Sequence, residues 1–114
     1  MKAGDYVRTK NGYIGKIYNI NEFREPSMMY AIDIPKTDDF VFMGEKDFKS
    51  SPNIIDLIEV GDYVNGYYVE DVLNTFVNVA TGSNYFQNPT IYEEDIKSIV
   101  TKEQFESVKY EIYK

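Results

Sequence analysis

The chain contains no cysteine and no histidine. Without cysteine there are no disulfides, zinc-thiolate sites or thiol nucleophiles, and a small core has no covalent staple to help it. Without histidine, the commonest general base near neutral pH is also missing. Catalysis would have to rest on carboxylates, lysine, tyrosine or serine, and no G-x-S-x-G, P-loop, dinucleotide or calcium-loop pattern occurs. These absences predict a protein that is not an enzyme and uses no cofactor. Long apolar runs are missing too: no stretch approaches the roughly 18 residues of a membrane span. The opening Met1-Lys2-Ala3-Gly4-Asp5 turns polar before a signal-peptide core could form. A soluble, cytoplasmic protein without membrane contact is expected.

Aromatic rings and acid are what the chain does have. It carries 11 Tyr and 7 Phe in 114 residues; each ring buries a large area, and tyrosine keeps a hydroxyl for a wet rim. That length fits one domain or two minimal ones. The net charge of −7 is unevenly shared. Residues 1–57 hold 8 basic and 9 acidic side chains and residues 58–114 hold 4 and 10, so the halves carry −1 and −6. Phosphate binding needs Lys or Arg, so direct contact of the second half with DNA or RNA is disfavoured. An acidic surface suits competition for a basic groove instead.

The chain repeats itself. Gly4-Asp5-Tyr6-Val7 recurs as Gly61-Asp62-Tyr63-Val64, a spacing of 57. Glu45-Lys46-Asp47-Phe48-Lys49-Ser50 is echoed by Glu93-Glu94-Asp95-Ile96-Lys97-Ser98, in the same order but displaced by 48. Two echoes in one order point to two related modules, 1–58 and 59–114. In the first, residues 5–9 and 13–20 read as a hairpin about Lys10-Asn11-Gly12. Residues 21–27 read as a loop, and Met28, Tyr30, Ile32 and Ile34 mark a half-buried strand that Pro35 ends. A turn at residues 36–39 and a strand at 40–43 follow, then a polar approach to a bend at Ser51-Pro52-Asn53 and a closing strand at 54–58. In the second module, strands are expected at 62–65, 67–74, 76–81 and 96–100, with a turn at Asn65-Gly66 and a loop over 82–90. Thr101-Lys102-Glu103-Gln104 fits a capping box. Val108, Tyr110 and Ile112 then alternate as a final strand, an amphipathic helix over 102–113 being the competing reading. The class predicted is all-β with one or two short helical turns, arranged as two tandem SH3-like small barrels.

Three sets of side chains are candidates for binding. Glu70, Asp71, Glu93, Glu94 and Asp95 form the acidic set, and Asp38-Asp39 adds a further carboxylate pair. Adjacent strand carboxylates point to opposite faces, so a solvated acidic rim is preferred over a weak Mg²⁺ or Ca²⁺ site, and no metal is assigned. Two loops offer rings: Phe23 beside Arg24, a pairing enriched at interface hot spots, and Tyr85 beside Phe86. The alternative for Phe23 is to fold back as a cap. Arg8, Lys10 and Lys16 interleave with Tyr6, Tyr13 and Tyr18 on the first hairpin, a mix with which small barrels stack bases and hold phosphates. Alternation on a wet strand accounts for the same spacing.

The stretch from Pro52 to Gly66, with Thr101-Lys102-Glu103-Gln104-Phe105-Glu106, resembles a module of small phage and prophage proteins of Gram-positive bacteria. The resemblance covers most of residues 45–114 and carries no catalytic residue. It implies a shared scaffold with variable contacts, and by analogy an anti-CRISPR-type inhibitor. Such a protein, in the cytoplasm of a bacterial host, would bind a defence nuclease such as a Cas effector and block its nucleic-acid channel with the acidic module. Two alternatives are an RNA- or translation-associated adaptor using the basic hairpin and a sponge for a signalling nucleotide.

Overall fold

The alternating segments on either side of Lys10-Asn11-Gly12 pair as a hairpin. In it β1 (Tyr6–Thr9) runs antiparallel to β2 (Ile14–Ile20), with Tyr6 opposite Lys16 and Arg8 opposite Ile14. Gly12 holds φ at +85°, and the Tyr13 amide donates to the Thr9 hydroxyl at 3.0 Å, which closes the turn. The computed structural model describes residues 1–35, 40–80 and 89–108. The chain divides into two compact units, Met1–Leu57 and Ile58–Lys114.

In the first unit β3 (Tyr30–Asp33), β4 (Val41–Met43) and β5 (Phe48–Ser51) complete an antiparallel sheet of order β4-β3-β2-β1-β5. Alternation turns one face inward. Val7, Ile17, Tyr30, Ile32, Ile34 and Phe48 form the core, Tyr30 meeting Phe48 edge to face at 5.3 Å. Each such side chain contributes roughly 1.5–3 kcal/mol on burial. Gly15 is required where it stands, because a Cβ there would run into the backbone carbonyl oxygen of Asp33. A 3-10 turn, Ile54–Leu57, packs over β1 and β5.

The second unit contains β6 (Tyr63–Val64), β7 (Tyr67–Val72), β8 (Phe76–Ala80), β9 (Thr90–Tyr92), β10 (Ile99–Val100) and the helix α1 (Lys102–Val108). Its sheet order is β10-β6-β7-β8-β9, which is the connectivity of the first unit: four strands in a meander and a fifth returning beside the first. In each unit a 3-10 turn precedes that fifth strand, Glu45–Asp47 in one and Glu93–Asp95 in the other. The second and third strands slip register after Ile17 in the first unit and after Val69 in the second. Val64, Val69, Val77 and Val79 are wholly buried. Asn65 and Gly66, both at positive φ, form the two-residue turn between β6 and β7.

The Gly-Asp-Tyr-Val echo has a structural cause. Gly4 and Gly61 sit at φ +94° and +100°, a region costly for any residue with a Cβ. Their amides donate to Ile17 and Val69, whose own amides donate back to the carbonyls of Asp5 and Asp62. Both aspartates are buried and accept from the amide three residues earlier, Lys2 to Asp5 at 3.1 Å and Glu59 to Asp62 at 2.8 Å. Val7 and Val64 point into the cores while Tyr6 and Tyr63 point outward, half-buried. A buried carboxylate closing a turn explains the motif without any ligand.

Several elements differ from the sequence reading. The fifth strand of the first unit is Phe48–Ser51, and the expected closing strand at 54–58 is instead the 3-10 turn Ile54–Leu57. Side-chain bonds explain the difference: the Ser51 hydroxyl donates to Asp56 at 2.6 Å and accepts from the Asn53 amide at 3.1 Å, coiling the segment. The short helix expected from Thr101-Lys102-Glu103-Gln104 is present as α1, and the chain bends at residues 52–53 as expected, but the 3-10 turns Glu45–Asp47 and Glu93–Asp95 ahead of the fifth strands lie where the sequence suggests no helical turn. Met28 belongs to the 3-10 turn Pro26–Met28, since Pro26 starts a helical turn readily. Thr90, placed in a loop by its sequence, opens β9. Ile96 lies in the turn ahead of β10. Val108 ends α1, so the strand predicted to begin there does not. Thr101 acts as the helix cap, its hydroxyl accepting from the Gln104 amide at 3.3 Å. Residues 109–114, and with them Tyr110 and Ile112, lie outside the described residues, as does the turn expected at 36–39.

Candidate binding surfaces

The basic hairpin of the first unit does not present the three cations its sequence suggested. Arg8 is 3% exposed, and its guanidinium donates to the Leu57 carbonyl at 2.9 Å, so this charge is spent holding the Ile54–Leu57 turn to β1. It cannot meet a phosphate. Lys10 and Lys16 are exposed. The Lys16 ammonium lies over the Tyr6 ring, 4.9 Å from its centre, a cation-π contact.

Rings on β2 and just ahead of β4 are drawn together instead. Tyr18, the extra residue where β2 slips register, stacks on Phe40 at 4.3 Å with the planes 20° apart. Arg24 lies 4.0 Å above the ring of Phe42. Phe23 is fully exposed and so does not cap the core; its amide donates to Asn21 at 3.0 Å in a local turn. A groove of about 590 Å³ is lined by Lys10 and Tyr13 about the β1–β2 turn, by Val41 and Phe42 of β4 and by Asp47. The Asp47 carboxylate is already engaged by the Gly44 amide at 3.0 Å. Tyr85 and Phe86, the second loop pair, lie outside the described residues.

The acidic residues of the second unit occupy two places. Glu70 is the extra residue where β7 slips register and Asp71 follows it, both exposed. Glu93, Glu94 and Asp95 form the 3-10 turn before β10, Glu93 half-buried and the other two exposed. That turn is held by Asn65, which donates to the Asp95 carbonyl at 2.9 Å and accepts from the amides of Lys97 and Ser98 at 2.7 and 3.0 Å. Among the described residues, no three carboxylates are grouped to hold a metal ion, and no helix is long and apolar enough to cross a membrane.

A feature that the sequence did not single out lies on the outward face of the second sheet. Val100, Tyr63, Tyr68 and Ala80 stand opposite one another across β10, β6, β7 and β8. Phe105 of α1 extends this row by stacking on Tyr63 at 4.8 Å, and Tyr63 meets Tyr68 edge to face at 5.7 Å. Val100, Tyr68 and Phe105 remain 41%, 42% and 39% exposed. The only local signal was Tyr67-Tyr68 after the Asn-Gly turn, since such a row is assembled by pairing between strands distant in sequence. Asp62 fixes the helix that carries Phe105, accepting from the Lys102 amide at 2.9 Å as well as from Glu59. The Lys102 ammonium pairs with Glu59 at 2.8 Å. That hydrogen bond, helped by the charges of Glu59, Glu103 and Asp62 against a smaller opposing effect of burial, raises the lysine above its ordinary pKa.

In this arrangement the Ser51 hydroxyl and the Asp56 carboxylate hold a turn, and Lys102 and Glu59 pair at the start of a helix. What it offers is surface: aromatic and near neutral on the first unit, aromatic and acidic on the second. Comparison with family models, with curated proteins and with solved structures finds no match to this chain.

Proposed function

We propose that the chain is a non-enzymatic binding protein of two SH3-like units, in which the acidic second unit docks on a basic surface of a partner protein. The shared strand order, with a 3-10 turn before the fifth strand that returns beside the first, supports the SH3-like reading. The observation that carries the docking role is the placement of charge. Glu70, Asp71, Glu94 and Asp95 face solvent on a unit whose sequence holds −6, while the first unit's sequence holds −1. Carboxylates turned to water, two on β7 and two on the turn before β10, attract a cationic surface over a Debye length, about 8–10 Å at physiological salt.

Together with the resemblance to phage proteins, this favours a partner whose basic channel binds nucleic acid, and specifically a host defence nuclease of the Cas effector kind. The protein would then act by stoichiometric occlusion, with no covalent step. Titrating the chain into a cleavage reaction of Gram-positive Cas effectors tests it. Cleavage should fall to zero near equimolar protein and recover as salt is raised. Undiminished cleavage at a large excess removes the nuclease from the proposal. The RNA-adaptor alternative loses support with Arg8 buried, and single-stranded RNA is expected not to shift with the protein even at low salt.

A further inference from the structure

The two sheets carry one row of positions on the face away from the core that can be compared place by place, Ser51 in the first being buried against its own turn. In the first unit the row reads Ser51, Tyr6, Lys16, Asp33 across β5, β1, β2 and β3. In the second it reads Val100, Tyr63, Tyr68, Ala80 across β10, β6, β7 and β8. Tyrosine is kept at the second place and every other position changes from polar to apolar. Outward apolar residues on a small sheet cost solubility, and contiguous ones mark a surface that something covers.

What covers it can be read from the first unit. There the tyrosine ring is met by a cation of the chain's own, Lys16, at the very place that Tyr68 takes in the second unit. Another exposed ring of the first unit, Phe42, is met by Arg24. The second unit has replaced its internal cation with a further ring, and Phe105 adds another. Its rings are bordered by carboxylates: Glu70 lies two residues beyond Tyr68 on β7, and the exposed Glu106 follows Phe105 on α1.

We propose that the row formed by Val100, Tyr63, Tyr68 and Ala80, with Phe105, is a docking strip for an arginine-rich segment of a partner protein. Guanidinium groups stack on the exposed rings, and the bordering carboxylates take their charge. Lysine supplies the charge but not the flat stacking plane, so the strip prefers arginine. The inference rests on the reading of the second unit as the docking unit and names the chemistry it recognises.

Fluorescence anisotropy of the full chain with a labelled arginine-serine repeat peptide, and with its lysine-serine counterpart of equal charge, tests the strip. The arginine peptide is expected to bind several-fold tighter than the lysine peptide. Tyr68→Ser and Phe105→Ser should each weaken it roughly two- to tenfold. Tyr68→Lys, which writes the first unit's residue into the second, should abolish the preference for arginine. Since the first unit carries lysine at this position on the same connectivity, that variant keeps the fold, as its circular dichroism will verify. Lys16→Ala should leave binding unchanged. Equal binding of both peptides that Tyr68→Ser and Tyr68→Lys do not disturb, but that Glu70→Gln weakens, overturns the strip while preserving acidic docking. Binding of neither peptide at low salt overturns both. Strip binding without any effect on nuclease cleavage keeps the strip and removes the nuclease.

Discussion

The two units share a connectivity and differ in what they do with it. Each begins with a glycine at positive φ and a buried aspartate closing a turn, slips register at one point between its second and third strands, and enters its fifth strand from a 3-10 turn. Beyond that frame they part. The first unit fills its core with Ile, Tyr and Phe, and covers β1 and β5 with a 3-10 turn pinned by Arg8. Among the described residues, the wholly buried apolar side chains of the second are valines, and a helix lies at the corresponding point in the chain, capped by Thr101 and tied by Asp62. One scaffold thus tolerates two surfaces, because inward positions and turn residues fix the fold and outward ones are left to function.

The sharpest test of this comparison is the aspartate that both units keep. Asp62→Ala leaves two backbone amides without their charged acceptor and should cost about 3–5 kcal/mol, on the scale of roughly 1.5–3 kcal/mol per hydrogen bond to a charge. Urea unfolding followed by tyrosine fluorescence would show it, and the helical signal of α1 should be lost first. Asp5→Ala, with the Lys2 amide as its partner, should cost about half as much. Equal costs would mean that α1 adds nothing to the second unit's device.

Arg8 separates packing from recognition. Replacing it by Ala strands the Leu57 carbonyl and removes a buried stem, for an expected loss of about 2–3 kcal/mol in the first unit. Peptide or nucleic-acid affinity should be unaffected in variants that remain folded. Gly15→Ala tests the close approach of β2 to Asp33: the added methyl must push backbone aside, at about 1–3 kcal/mol. Register places Gly15 opposite Val7 as Tyr67 stands opposite Val64, and Tyr67 is exposed, so Tyr67→Ala should change stability by less than about 0.5 kcal/mol.

The smallest effect belongs to the Lys102–Glu59 pair. Its lysine side chain is 48% exposed, so Lys102→Met should cost no more than about 0.5–1 kcal/mol. The folded lysine has its pKa raised above the ordinary 10.5, so its contribution is complete below that pH. It should be lost as pH rises through the raised value. Urea midpoints of wild type and variant should therefore stay separated by a constant amount through neutral pH and converge only in strong alkali.

Legibility followed the range of the interaction. The first hairpin, the Asn65-Gly66 turn and the helix cap at Thr101 were readable because their causes lie within a few residues: period-two alternation, glycine at positive φ, a hydroxyl three residues before an amide. β5 was missed because Lys49 and Ser50 show no apolar alternation, and only β1 alongside makes that segment a strand. β9 was missed for the same reason, Thr90–Tyr92 being a strand through its pairing with β8. Among site residues, Glu70, Asp71, Glu94 and Asp95 lie on the surface as a run of charge suggests, whereas Arg8 faces outward by its alternation and is nonetheless covered.

Composition and local pattern by themselves determined that the chain is β-rich, that a motif recurs at an interval of 57 residues, that acid collects in the second half, and that histidine and cysteine chemistry is unavailable. Only the tertiary structure decided that Arg8 is a packing residue, that the recurring aspartates are turn closures, and that Val100, Tyr63, Tyr68 and Ala80 stand in one row. The reason is physical. Periodicity says which face of a strand a residue takes, but what lies opposite it or on top of it is set by strand register and by segments tens of residues away.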